Sequence, residues 1–340
     1  MLLKKALPIL FVMFLLTTFS LAGVKNGVFV KPPTLKMTLI SSLNEIYIAN
    51  VLVPEKWKSY YSGKDEARYN WLVSTYNQFT TEEKEKLEKV FSTVNTWRLL
   101  KAMTELSDDA DINAIKSKLF FSFNIPMGVK GDLRALVEGF YEKCFKSYFE
   151  ENREELAQRA VKLTTESDPL PNPFEYLETW TGMSLGDYEC VFYFTFRSIG
   201  AWGFTSGGKK ISTLQASVKE LKDLYSTPLH EYAHNFFQQF TKERDFIDLS
   251  ERLKTKQDFY EYWQTNENLK QSYNWRAFCE ENLVEGFAKF LRYRLDADSK
   301  EQKGIYPLDE EFYHFLMEKD YTPQKYTLKE ISFLFYEGVL

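Results

Sequence analysis

Between Leu229 and Phe240 the chain reads LHEYAHNFFQQF, with apolar side chains at 229, 232, 233, 236, 237 and 240. That is the i, i+3, i+4, i+7, i+8, i+11 series of a helix with one face against a core. Pro228 suits the first turn of such a helix, with Ser226 or Thr227 ahead as a cap. The same run carries His230, Glu231 and His234 in the spacing HExxH. Residues four apart stack on one helical face, so both imidazoles can turn to a single ion. Glu231, about 100° around from His230, can reach a water beside that ion without being a ligand.

Neutral imidazole is a good zinc ligand, and a catalytic zinc site combines three protein ligands with one open position. Zinc lowers the pKa of a water there towards about 7, and Glu231 is the expected general base. The bland alternative is an ordinary helix with two histidines four apart by accident. With three histidines in 340 residues, composition alone produces HExxH in on the order of one such chain in several hundred. One Zn2+ per chain is therefore the expected cofactor.

A third ligand has to come from elsewhere. A metzincin would carry Gly at 237 and His at 240, where Phe237 and Phe240 stand. His314, in EFYHFLMEKD, is far downstream and would join only by long-range folding. The run NWRAFCEENLVEGFAKFLRYR reads as a second helix, with Trp275, Phe278, Val284, Phe287, Phe290 and Leu291 apolar and Glu281 and Glu285 stacked four apart. Without HExxH upstream it would be an ordinary amphipathic segment.

Together the two runs resemble the gluzincin group of zinc metallopeptidases, in which a glutamate on a helix after HExxH completes the site. The resemblance implies a zincin-like catalytic half, and two registers fit it. In ENLVE, Glu281 is the ligand and Glu285 orients a ligand histidine; in VEGFAKF, similar to the EGxA pattern of aminopeptidase-like members, Glu285 is the ligand. The first register gives both carboxylates a role and is preferred. The interval TKERDFIDLSERLKTKQDFYEYWQTNENLKQ is longer than in compact members of the group and reads as an inserted helical hairpin. TGMSLGDYE is a poor match to the GxMEN motif of the aminopeptidases, so an endopeptidase is preferred.

The resemblance also implies an edge strand before the zinc helix that binds the substrate backbone. By chain order it lies in SIGAWGFTSGGKKISTL, with Ala201 and Trp202 near the cleft; Trp202 packing the sheet is the plainer alternative. For oxyanion stabilisation the candidates downstream of the second helix are His314, Tyr306 and Tyr313, His314 first among them.

Elsewhere, TTEEKEKLEKVFSTVNTWRLLKAM reads as a helix opened by a Thr80–Glu83 capping box, and SDDADINAIKSKLFFSF and the long run from Gly131 to Thr164 as two more. NGVFVKPPTLKMTLISSLNEIYIANVL suggests an extended lead-in to a strand or a first helix. Prolines in ESDPLPNPFEY mark a boundary, after which ECVFYFTFRS and the Ser-Gly-Gly turn at 206–208 suggest a small antiparallel sheet. The expected fold class is α+β and predominantly helical: a signal segment at 1–22, a mostly helical region at 23–168 and a zincin-like catalytic domain at 169–340.

Lys4 and Lys5 precede an apolar run that closes on Ser20-Leu21-Ala22, the pattern of a secretory signal. The protein is therefore expected to be exported, either secreted or held in the cell envelope, with membrane attachment only if the segment stays uncleaved. The three cysteines allow at most one disulfide. A formal charge of -5 argues against a nucleic-acid partner. The sequence reading is an exported zinc metallopeptidase acting on peptide or protein substrates. The competing reading is a non-catalytic exported protein that binds peptide or glycan in an aromatic groove, and hydrolysis of a non-peptide bond is a further alternative.

Overall fold

The computed structural model describes residues 28–165, 172–184, 186, 189–295 and 306–340. The signal segment expected at 1–22 lies outside the described residues. In chain order the elements are β1 (Val28–Lys31), α1 (Leu35–Tyr47), α2 (Pro54–Tyr61), α3 (Glu66–Gln78), α4 (Thr81–Thr93), α5 (Thr96–Met103), α6 (Ile112–Phe121), α7 (Met127–Phe140), α8 (Lys146–Thr165) and α9 (Pro173–Thr181). There follow β2 (Glu189–Phe194), β3 (Gly203–Ser206), β4 (Lys209–Leu214), α10 (Ser226–Glu231), α11 (His234–Thr241), α12 (Arg244–Arg252), α13 (Gln257–Thr265), α14 (Glu267–Ser272), α15 (Trp275–Leu295), α16 (Asp309–Glu318) and α17 (Leu328–Val339).

Local signals start several of these helices where the sequence puts them. The Thr80 hydroxyl accepts from the N–H of Glu83 and the Glu83 carboxylate accepts from the N–H of Thr80, a complete capping box for α4. Asp111 caps α6 and Asn274 caps α15. α7 and α8 are joined through a π-turn at Tyr141–Phe145, which is why the run reads as one long helix. α1 is buried from Lys36 to Tyr47. Its charged groups are paired: Arg68 meets Glu45 at 2.5 Å and Ser42 at 2.9 Å, and Lys36 meets Asp108 at 2.8 Å.

The sheet differs from the antiparallel one expected. Its order is β1-β2-β4-β3, and only β3–β4 is antiparallel; β1 pairs with β2 and β2 with β4 in parallel. The Gly207-Gly208 turn joins β3 and β4 as a hairpin and was readable locally. Parallel pairs need long crossovers, and the connection from β1 to β2 contains all of α1–α9. The segment at 28–31 is thus an edge strand of the same sheet, and one apolar core runs through both halves of the chain. No disulfide forms: Cys144, Cys190 and Cys279 are free. Among the described residues no helix is long and apolar enough to cross a membrane.

The HExxH run is not one continuous helix. α10 and α11 are separated at Tyr232–Ala233, both of which keep right-handed helical angles. The turn is tightened by i to i+3 bonds, Asn235 N–H to Tyr232 O (3.1 Å) and Phe236 N–H to Ala233 O (2.9 Å). Tyr225 stands at the N-cap of α10, without a side-chain bond to the helix, in place of Ser226 or Thr227. Between α11 and α15 three short helices, α12 to α14, replace the expected hairpin.

α15 is not amphipathic but buried on nearly all sides from Phe278 to Leu291. α16 packs so closely on it that a Cβ at Gly286 would stand 2.5 Å from the backbone oxygen of Asp309 and 3.0 Å from Phe312. Gly286→Ala should therefore cost about 1–3 kcal/mol in denaturant unfolding, and unchanged stability would show that this contact is not close.

Candidate metal centre

α10 and α11 bring the two histidines together with ring centroids 5.3 Å apart. α15 crosses beneath them and presents three carboxylates, Glu280, Glu281 and Glu285, over two successive helical turns. His230 Nδ1 is 2.7 Å from Glu285 Oε2, and His234 Nδ1 is 2.8 Å from Glu280 Oε1. A carboxylate accepts, so each Nδ1 carries the proton and each Nε2 is the atom left to face a ligand. Both Nε2 atoms point at Glu281: His230 Nε2 is 3.4 Å from its Oε2 and His234 Nε2 is 3.4 Å from its Oε1.

Two ligands bound at about 2.0–2.1 Å in tetrahedral arrangement lie roughly 3.3–3.4 Å apart. Each Nε2 has one oxygen of Glu281 at that spacing, a different oxygen for each histidine. Glu281 is 6% exposed and its Oε2 has no hydrogen-bond partner, a costly state for a buried carboxylate unless a cation satisfies it. The His230/His234/Glu281 group, with ligand atoms within 4.8 Å of one another, could hold a metal ion. Of the two sequence registers, this geometry puts Glu281 at the centre and Glu285 behind His230.

The supporting carboxylates are themselves held. Glu285 Oε1 accepts from Arg292 at 2.8 Å. Glu280 accepts from Gln238 (3.1 Å), Thr241 (2.6 Å) and Arg276 (2.9 Å). Among the protein groups alone, burial pushes both carboxyls up. The His234, Thr241 and Gln238 bonds outweigh it for Glu280, as the His230 bond and the Arg292 charge do for Glu285, and both fall to about 2. Burial pushes His230 down, but the nearby carboxylates of Glu281 and Glu285, the latter hydrogen-bonded to it, raise it to about 10. The sequence reading missed Glu280: its position next to Glu281 was visible, but nothing local showed that α11 passes over that side of α15.

Glu231 is half-buried, and loss of solvation raises its carboxyl above the usual range despite the opposing effect of the two histidines. Edge strand β3 runs over it: a Cβ at Gly203 would meet the Glu231 Cβ at 2.6 Å and Cγ at 2.9 Å. Gly203 is thus a glycine for close approach, at an ordinary φ. Thr213 N–H donates to Trp202 O across β3–β4, so by the alternation of an antiparallel pair the N–H and C=O of Gly203 face the free edge. Trp202 itself packs under Arg197, 4.2 Å from its ring, and its N–H donates to Thr213 Oγ1. The edge residue that the structure places directly against Glu231 is Gly203, next to the expected Ala201 and Trp202.

His314 lies on α16 with its side chain 52% exposed, its Nε2 3.9 Å from Glu310 and its ring against Tyr313. Tyr313 is buried against Tyr293. The phenols that sense the centre are Tyr306 and Tyr273, with hydroxyls 3.5 Å apart. Burial and then the charge of Glu281 raise Tyr273 to about 12 and raise Tyr306 further still. Tyr306 is pinned to α15 indirectly: its N–H donates to Asp309, Leu308 N–H donates to Asn282, and Asp309 pairs with Lys289 at 2.9 Å. Tyr273 had no sequence signal among 21 tyrosines.

Comparison of the chain with protein-family models, with curated proteins and with solved structures returned no match.

Glu280→Gln and Glu285→Gln should each weaken metal binding by about 10–100-fold in competition with a chelating dye, while Glu281→Ala should abolish it; equal retention in all three would remove Glu281 from the ligand set. An ion must displace the proton that His230 holds up to about 10, so apparent affinity should fall by up to about tenfold for each unit of pH below that value. A pH-independent affinity between 6 and 9 would contradict this.

Proposed function

We propose that the protein is an exported zinc-dependent metallohydrolase, a peptidase of gluzincin type with endopeptidase action preferred. The observation that carries the reading is the pair of imidazoles whose Nε2 atoms each stand 3.4 Å from one oxygen of a single buried carboxylate. Two histidines and a glutamate suit zinc, and leave a fourth position for water or substrate. His230, His234 and Glu281 would hold the ion. Bound zinc supplies a Lewis acid that polarises a carbonyl and acidifies a water.

The protein groups supply the rest. Glu231, with its carboxyl raised by burial, takes a proton from the attacking water and returns it to the leaving amine. Tyr273 and Tyr306 stay protonated and are the donors for the developing oxyanion, in place of exposed His314. A substrate backbone would add to the free edge of β3 at Gly203, within reach of Glu231.

Purified protein should contain about one zinc per chain by elemental analysis, as a mononuclear site does. Glu231→Gln should keep the metal and lose about 10²–10⁴-fold in hydrolysis of a fluorogenic peptide mixture. Gly203→Ala, by displacing Glu231, should lower turnover with the metal retained. Hydrolysis undiminished in Glu231→Gln would remove Glu231 as the base, and a wild-type chain that takes up no divalent ion would end the metallohydrolase reading.

A further inference from the structure

The connection between α6 and α7 breaks the usual composition of a surface turn. From Leu119 to Val129 it reads LFFSFNIPMGV, without one charged residue. Phe121 is 72% exposed, Phe123 102% and Met127 75%, while Phe120 lies edge-on to Phe121 with ring centroids 5.2 Å apart. Within the same stretch Leu119 of α6, Ile125 of the turn and Val129 of α7 are buried in the core. The turn is therefore anchored from below, and its exposed rings are surplus to packing. Scattered exposed apolar residues need no explanation, but four within eight positions on one projecting turn form a patch.

The charges around the patch oppose those of the whole protein. Between 113 and 134 there are four basic residues, Lys116, Lys118, Lys130 and Arg134, and one acid, Asp132, in a chain of net charge -5. Lys116 pairs with Glu138, Lys118 with Glu105, and Asp132 with Lys89. The Glu138 and Glu105 side chains are 53% and 54% exposed, and such surface pairs are weak enough to exchange for another anion at little cost. Lys130 is mostly covered, whereas Arg134 is exposed.

We infer that the α6–α7 turn is a membrane-contact wedge, with Phe121, Phe123 and Met127 entering the headgroup region of an anionic bilayer and Lys118 and Arg134 meeting its phosphates. A projecting tip with a fully exposed ring needs a preformed hollow to dock on a protein, and needs none on a fluid lipid surface. Aromatic and apolar side chains beside basic residues are the pattern of interfacial membrane binding. This function is independent of the metal centre.

The test uses the full chain with Cys144→Ser and Phe123→Cys, labelled at 123 with an environment-sensitive fluorophore. A control carries the label at exposed Ser74 on α3, through Ser74→Cys. With vesicles of phosphatidylcholine and phosphatidylglycerol, the label at 123 should shift to the blue and be quenched by nitroxide lipids, and the control should not. The shift should weaken in phosphatidylcholine alone and at high salt. In Phe121→Ser/Met127→Ser the lipid concentration for half-maximal shift should rise about tenfold or more, and Lys118→Glu/Arg134→Glu should raise it on anionic vesicles only. A label at 123 that stays in water with vesicles present overturns the proposal. So does a shift that appears without vesicles and grows with protein concentration, which would make the tip a contact between copies of this chain.

Discussion

Three buried carboxylates on one helix set the terms for the half of the chain that bears the candidate metal centre. Glu280, Glu281 and Glu285 are each 6% exposed or less, on a helix otherwise surrounded by Phe, Leu and Val. Burying one ionised carboxylate without partners costs several kcal/mol, so their neighbours must be arranged around them. Glu285 is met by His230 and Arg292, Glu280 by His234, Thr241, Gln238 and Arg276. Glu281 has the two Nε2 atoms in front of it and one oxygen without a hydrogen bond. The pattern is asymmetric: the outer carboxylates are satisfied by protein groups, and the central one keeps an oxygen that a cation could satisfy.

The same demand shapes the elements around α15. The helix break at Tyr232–Ala233 lets Tyr232 send its hydroxyl to the carbonyls of Phe204 and Ile211 at 2.9 and 2.7 Å while His230 and His234 stay on the α15 side. One tyrosine thus ties the histidine pair to the β3–β4 hairpin, and the absent side chain at Gly203 lets the edge strand come down onto Glu231. On the far side, Lys289 and Asp309 pair within the α15–α16 contact and hold the segment bearing Tyr306. The supports of the centre, Glu280 and Glu285, are buried and bonded to more than one element, a condition for metal ligands to keep their geometry.

Much of this was legible in the linear chain. The capping box at Thr80 and the histidines four apart follow from helical period and side-chain chemistry, whereas the preference for Glu281 over Glu285 as third ligand came from the resemblance to the gluzincin group. Glu280, Gly203 and Tyr273 were not legible, because each matters through a neighbour far away in sequence. His314 shows the converse: a histidine is conspicuous by composition, yet the packing of α16 leaves this one exposed.

The sequence by itself determined the chemistry available, since the identity and spacing of His230, Glu231, His234, Glu281 and Glu285 are properties of two short runs of sequence and need no long-range contact to be read. Tertiary structure alone decided the sheet and the surroundings of the site. Which strands pair, and in which direction, depends on where α1–α9 return the chain, and a crossover of that length has no local signature. Whether a carboxylate is a ligand, a support or a solvated charge depends in the same way on which face of α15 the histidines cover, and that is settled by packing.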